Sequence, residues 1–143
     1  MFASASSSRN ASSALAGAYR KVGVETGVAA ASPHELVTML FDGFNSAIAE
    51  ARNALARGDV EAKCKALGRA LRIVDEGLKA PLDAAGGSLT EKLSSLYGYV
   101  SLRLTQANLS NDDATLEECV RLMEPLRSAW LAIGPAANAA NAA

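Results

Sequence analysis

Aromatic side chains are scarce: three Phe, three Tyr and one Trp make up 5% of the 143 residues. A core must therefore be built mainly from aliphatic side chains, and with 50% of residues apolar there is material for one domain of ordinary size. Cysteine is rarer still. Cys64 and Cys119 stand far apart without CxxC spacing, which excludes a disulfide framework and a zinc site and predicts two reduced thiols. Charge of one sign is lacking too: 14 basic and 15 acidic residues leave a net charge of -1, so nothing draws the whole chain to nucleic acid or anionic lipid. No hydrophobic run approaches the roughly 18 to 20 residues of a membrane span. The opening MFASASSSRNASSALAGAYRK lacks the basic-then-apolar order of a secretory signal, and a cytosolic protein is predicted.

Composition divides the chain. Residues 1–14 hold, after Met1 and Phe2, only Ser, Ala and Asn with one Arg, and residues 134–143 read GPAANAANAA. Neither stretch offers side chains that can pack, so both read as disordered ends, a leader and a tail. Residues 15–31 (LAGAYRKVGVETGVAAA) read as a flexible N-terminal arm, where Gly17, Gly23 and Gly27 interrupt any helical period and Tyr19 has no evident core of its own. From residue 32 to residue 133 apolar side chains recur at steps of three and four, with no alternating β-branched stretch, which places the folded domain there and makes it helical.

The first helix opens on Ser32, Pro33 and Glu35, a capping box with proline at the first helical position. Leu36, Val37, Leu40, Phe41, Phe44, Ala47, Ile48, Ala51 and Leu55 then cover an arc wider than the ~100° that one core contact uses. That surplus predicts a free surface lined by Phe41, Phe44 and Ile48. Gly58 ends the helix and Asp59 caps the second, whose seam is read as Val60, Cys64, Leu67, Leu71, Val74 and Leu78. Ala66, Ala70 and Gly77 lie on another side, where a neighbour can approach closely, and Pro81, Gly86 and Gly87 are expected to stop the helix. A second capping box, Ser88 with Glu91, begins a third helix whose stripe is Leu89, Leu93, Leu96, Val100, Leu104 and Ala107, with Tyr97 beside it. After a turn over 108–113, the fourth helix runs from Asp113 to Ile133, and Pro125 inside it predicts a kink near Leu122. Short connections between the four helices give an all-α fold, an antiparallel up-and-down four-helix bundle.

Catalytic chemistry has little to stand on. The lone His34 lies in the first helical turn, with no Ser, Cys or Asp at a spacing that implies a triad, and reads as a solvated helix-end side chain. Glu-x-x-His pairs of carboxylate-bridged metal bundles do not occur, and GVETG and AAGGS lack the lysine and preceding strand of a phosphate loop. Cys64 and Cys119 both fall on predicted core stripes, where a thiol acts as a small hydrophobe. No enzyme, cofactor or metal is expected. A histidine phosphotransfer module is the alternative that keeps the fold, but it needs its histidine exposed midway along a helix beside Lys and Gly, whereas Glu-Leu-Val follows His34.

Residues 18–43 (AYRKVGVET leading through ASPHELVTMLFDG), 59–83 (DVEAKCKALGRALRIVDEGLKAPLD) and 89–112 (LTEKLSSLYGYVSLRLTQANLSND), followed by LRSAW ending at Trp130, together resemble the flagellar export chaperone family FliS. The resemblance spans about residues 15–133 in order. It implies a non-catalytic cytosolic bundle that binds the disordered C-terminal segment of flagellin, prevents premature polymerisation and delivers it to the flagellar type III export apparatus, where the export-gate protein FlhA receives the complex. It also implies an arm that lies over the client groove until client binds, so Tyr19 is expected to pack beside that groove. With the apolar pattern, it predicts client contacts at Tyr19, Leu40, Phe41, Phe44, Ile48, Leu93, Tyr97, Tyr99, Arg103 and Asn108. The two tyrosines on the third helix suit a half-buried contact with the hydroxyl in water. Nucleic acid and direct membrane insertion are not expected, and a homodimer is compatible with the pattern.

Overall fold

A computed structural model describes residues 31–134; the predicted leader, all of the arm except Ala31 and the tail after Gly134 lie outside the described residues. Helix α1 spans Pro33–Arg57 and α2 spans Val60–Arg72. The second rod continues without a break through a π-helical segment, Ile73–Lys79, into a short α3, Ala80–Ala85. Helix α4 covers Ser88–Ser110 and α5 covers Asp113–Ile133. Among the described residues there is no strand, and the rods form the expected all-α bundle.

Local chemistry explains most boundaries. The Ser32 hydroxyl accepts from the Glu35 amide at 3.2 Å, with Pro33 at the position whose missing N–H costs nothing. At the far end of α1, Gly58 adopts φ 73°, and the amides of Gly58 and Asp59 donate to the carbonyls of Leu55 and Ala54. This Schellman arrangement uses the left-handed conformation that glycine reaches without a Cβ clash. The Asp59 carboxylate then accepts from the Ala62 amide and starts α2.

Three predicted boundaries are corrected. Pro81 does not stop the second rod. The π turns before it carry i to i-5 bonds, with the Ala80 amide donating to the Asp75 carbonyl. Their wider spacing relieves the collision a proline ring makes with the carbonyl four residues back, and Pro81 sits in the first turn of α3, where a missing N–H is tolerated. The rod ends at the other two predicted stops, Gly86 and Gly87, whose φ values are 72° and 105°. Nor does Ser88 cap α4: it is already helical, Gly87 is the N-cap without a side-chain bond, and the Thr90 hydroxyl donates to the Gly87 carbonyl at 2.7 Å. The predicted turn over 108–113 shortens to Asn111 and Asp112. Asn111 sits at φ 53°, a conformation asparagine tolerates, and the Asp112 carboxylate accepts from the amides of Ala114 and Thr115. Helix α5 is continuous through Pro125, whose absent N–H leaves the Arg121 carbonyl without its helical donor.

Cross-links fix the arrangement. Leu40 meets Gly77 and Glu50 meets Arg69, so α1 and the second rod run antiparallel. Lys63 bonds to the end of α4 while Asp83 bonds to Ser94 near its start, so the second rod and α4 are antiparallel. Arg103 pairs with Glu118 across α4 and α5. Arg52 grips Asp113 through two bonds of 2.8 and 2.9 Å, and Arg127 meets Asp42 at 3.0 Å, which returns α5 to the side of α1 and closes the bundle.

The core differs from the predicted seams in rotation. In the second rod the buried set is Lys63, Ala66, Leu67, Ala70, Ile73, Val74, Gly77 and Leu78, while Val60 is 58% exposed and Cys64 is exposed. The small residues thus face inward, beside the buried Ala47, Ala51 and Ala54 of α1. At Gly77 a Cβ would stand 3.0 Å from a Leu40 methyl carbon, so any larger residue there makes Leu40 give by a few tenths of an ångström. Cys119 is buried as expected, and burial pushes its thiol up to about 11.

Two outcomes follow. Gly77→Ala should lower stability by about 1 kcal/mol, because overpacking against Leu40 outweighs the helix-propensity gain; in a Leu40→Ala background the same change should be neutral or stabilising, which urea denaturation of the double-mutant cycle measures. The Arg52 guanidinium holds the Asp113 carboxyl below its usual range. A depressed carboxylate stabilises above its unfolded pKa and loses that contribution as pH falls through the folded value, so stability should decline below pH ~4, less steeply in Arg52→Ala.

Candidate functional site

Helix α4 has apolar residues on opposite faces. Inward, Tyr97, Val100, Leu104 and Ala107 are buried. Outward, Tyr99 is 44% exposed, Leu102 55% and Leu109 81%. A three-residue and then a seven-residue step put these on one side of the helix, along about 15 Å at 1.5 Å per residue. Leu89, near the start of the helix, is exposed as well. Burying one stripe of a helix satisfies the fold; the second stripe on α4 is what the bundle leaves over.

One edge of this stripe is polar and fixed. Arg103 donates through Nε to Glu118 at 2.9 Å and through its terminal nitrogens to Gln106 at 2.7 Å and Thr115 at 3.3 Å. The Tyr99 hydroxyl donates to the same Glu118 oxygen at 3.3 Å. The Arg103 bond holds the Glu118 carboxyl below its ordinary range, so it is charged at neutral pH.

The predicted site residues separate into distinct places. Tyr19 lies outside the described residues. Leu40, Phe41, Phe44 and Ile48 are core, with exposures of 0%, 4%, 0% and 1%. Among the described residues these four do not form the free surface expected on α1, which packs against the second rod and α5. Leu93 is half-buried against the core, and Tyr97 is buried, its phenol pushed up to about 12. Tyr99 and Arg103 stand together on the outer side of α4. Asn108 turns to the second rod, its carbonyl accepting from Lys63 Nζ at 2.9 Å and its side chain from the Cys64 thiol at 3.4 Å. Sequence reasoning missed Leu102 and Leu109; the available signal was that leucines ring α4 on more than one side.

His34 is not the solvated side chain expected. Its ring stacks on Trp130 with centroids 5.0 Å apart and planes 15° from parallel. Its Nε2 lies 3.0 Å from the Trp130 carbonyl, which only accepts, so Nε2 carries the hydrogen; the indole N–H returns a bond to the His34 carbonyl at 3.1 Å. A phosphoryl acceptor needs a free ring nitrogen in the open, and this one is engaged in tying α1 to α5. Among the described residues no group of three or more His, Cys, Asp or Glu is placed to hold a metal, and no helix is long and apolar enough to cross a membrane.

The sequence profile of the family described as flagellar protein FliS matches residues 15–137. The flagellar secretion chaperone FliS of Salmonella typhimurium is 50% identical over 122 residues, covering 85% of this chain and 90% of that protein. Its counterpart in Escherichia coli is 41% identical over 79% of this chain and 84% of its own length, and that of Bacillus subtilis 34% identical over 79% and 80%. The match takes in every rod of the bundle, the double-faced α4 included, and the chain belongs to the FliS family of flagellar proteins.

Proposed function

We propose that the chain is an export chaperone for flagellin: it binds the disordered C-terminal segment, keeps it from polymerising in the cytosol, and passes it to the flagellar type III export apparatus through the gate protein FlhA. The observation that carries this reading is the outer apolar stripe of α4, Tyr99, Leu102 and Leu109, on a helix whose other face already completes the core. The names of the relatives support a secreted flagellar client, since a flagellar secretion chaperone needs a surface for one, and flagellin as that client rests on the family resemblance. Assembly segments of such a subunit are amphipathic and need covering until export.

The magnitudes are sufficient. Covering roughly 1,000 Å2 of apolar area, both partners counted, contributes about 25 kcal/mol gross. Ordering a disordered client and losing its translational freedom offset most of it, which leaves room for submicromolar binding. Leu93, Tyr99 and Arg103 are the residues of the predicted set that accompany the stripe, and Tyr19 joins them on the family resemblance. Leu40, Phe41, Phe44 and Ile48 serve the site from beneath, as the core on which α4 and its neighbours rest.

Titration calorimetry of the chain with a flagellin C-terminal peptide should give a 1:1 complex with a negative heat-capacity change. Leu102→Asp with Leu109→Asp should weaken it tenfold or more while changing stability by less than ~0.5 kcal/mol per site, because both side chains already face water. Absence of any complex with the unaltered chain overturns the reading.

A further inference from the structure

The outer stripe of α4 has a polar residue in its middle. Steps of three, four and three residues join Tyr99, Leu102, Gln106 and Leu109, so the exposed Gln106 stands between the two leucines on the face that the bundle leaves uncovered. Charge is scarce around it: between Lys92 and the end of α4 at Ser110 the only charged side chain is Arg103, and Glu118 pairs with that one. A leucine at 106 would complete the apolar stripe and hold any greasy segment more tightly. The glutamine gives up that contact and brings a primary amide to the centre of the face.

The orientation of that amide is fixed. Gln106 Oε1 accepts from a terminal nitrogen of Arg103 at 2.7 Å, and a guanidinium only donates, so the atom facing it is the oxygen. Arg103 is itself anchored on α5, through Nε to Glu118 at 2.9 Å and through its other terminal nitrogen to Thr115 at 3.3 Å. At about 100° per residue, Gln106 has Arg103 on one side and Leu102 and Leu109 on the other. The amide nitrogen is therefore left on the side of the leucines, and among the described residues no acceptor is bonded to it.

We propose that Gln106 is a specificity-determining residue of the client face, whose amide N–H must meet a hydrogen-bond acceptor on the client between the positions that contact Leu102 and Leu109. This rests on the client-binding reading above and adds a chemical requirement to it. While the face is open, water accepts from the amide. Once a client covers the stripe that water is expelled, and an unmatched N–H loses its bond with nothing in return. A matched client keeps the bond, so the glutamine separates clients that apolar contact alone would treat alike. The acceptor is an uncharged side chain, Asn, Gln, Ser or Thr. An amphipathic segment seated as a helix has its own carbonyls engaged within the helix, and a carboxylate would meet the Glu118 charge held on the same Arg103.

Calorimetry with the flagellin C-terminal peptide and a set of its variants, each with one Asn, Gln, Ser or Thr changed to Ala, tests the requirement. Against the unaltered chain one variant should bind about tenfold or more weakly than the unaltered peptide. Against Gln106→Met, which has no N–H to satisfy, that same variant should bind at least as tightly as the unaltered peptide, a reversal of preference that a purely structural role for Gln106 would not produce. Gln106→Glu keeps an oxygen for Arg103 but offers no donor, and it should bind the unaltered peptide about tenfold more weakly while its circular dichroism stays that of the bundle. Full affinity of Gln106→Glu, or a set of variants in which no loss depends on the glutamine, overturns the proposal and leaves the Leu102 and Leu109 site standing. No complex between the unaltered chain and the unaltered peptide overturns the client reading, and the proposal falls with it.

Discussion

The arrangement depends on enclosing α1. Its apolar residues turn around too much of the helix for one neighbour to cover, so the second rod and α5 must wrap it from different sides. Each of Leu36, Leu40, Phe41, Phe44 and Ile48 contributes about 1.5–3 kcal/mol on burial, and all are at or below 4% exposure. The second rod can approach because its inward face is Ala66, Ala70 and Gly77, and Leu40 lies so near Gly77 that an added methyl group would meet it at 3.0 Å. The breadth of the α1 arc thus explains the shape of the bundle, and among the described residues the apolar surface left over falls in part on α4, the rest at Val60, Leu131 and Ile133.

Polar groups decide how the rods are held in register. Lys63 is 2% exposed, yet its ammonium bonds to the Asn108 carbonyl and the Asn111 side chain. A cation at the carboxyl end of α4 meets the negative end of the helix dipole and the carbonyls that lack helical partners, which makes burial of a lysine tolerable. At the other end of the molecule His34 and Trp130 exchange two hydrogen bonds and stack, closing α1 onto α5.

Much of the fold was legible in the chain. The caps at Ser32 and Asp59, the stop at Gly58 and the span of α5 follow from local chemistry that a few neighbouring residues settle. Errors arose where a local signal met a tertiary one. Pro81 reads as a stop in the sequence, yet the π turns before it, in which Ile73, Val74, Gly77 and Leu78 are buried, carry the rod through it. The seam through Val60 and Cys64 gave way to one through Lys63 and the alanines, since hydrophobicity alone does not reveal which small residues a close neighbour requires.

For the site, the sequence determined that the helices carry more apolar surface than a bundle can hide, and the family resemblance directed attention to α4 through Tyr97, Tyr99 and Arg103. Which surface stays open was decided by tertiary structure. Phe41, Phe44 and Ile48 and the pair Leu102 and Leu109 look equally greasy in the sequence, and the first three are enclosed while the latter two face water. The physical reason is that periodicity fixes how residues are spaced around a helix, whereas exposure depends on how many neighbours surround it: α1 is flanked on every apolar side, and α4 closes the bundle with one face turned out.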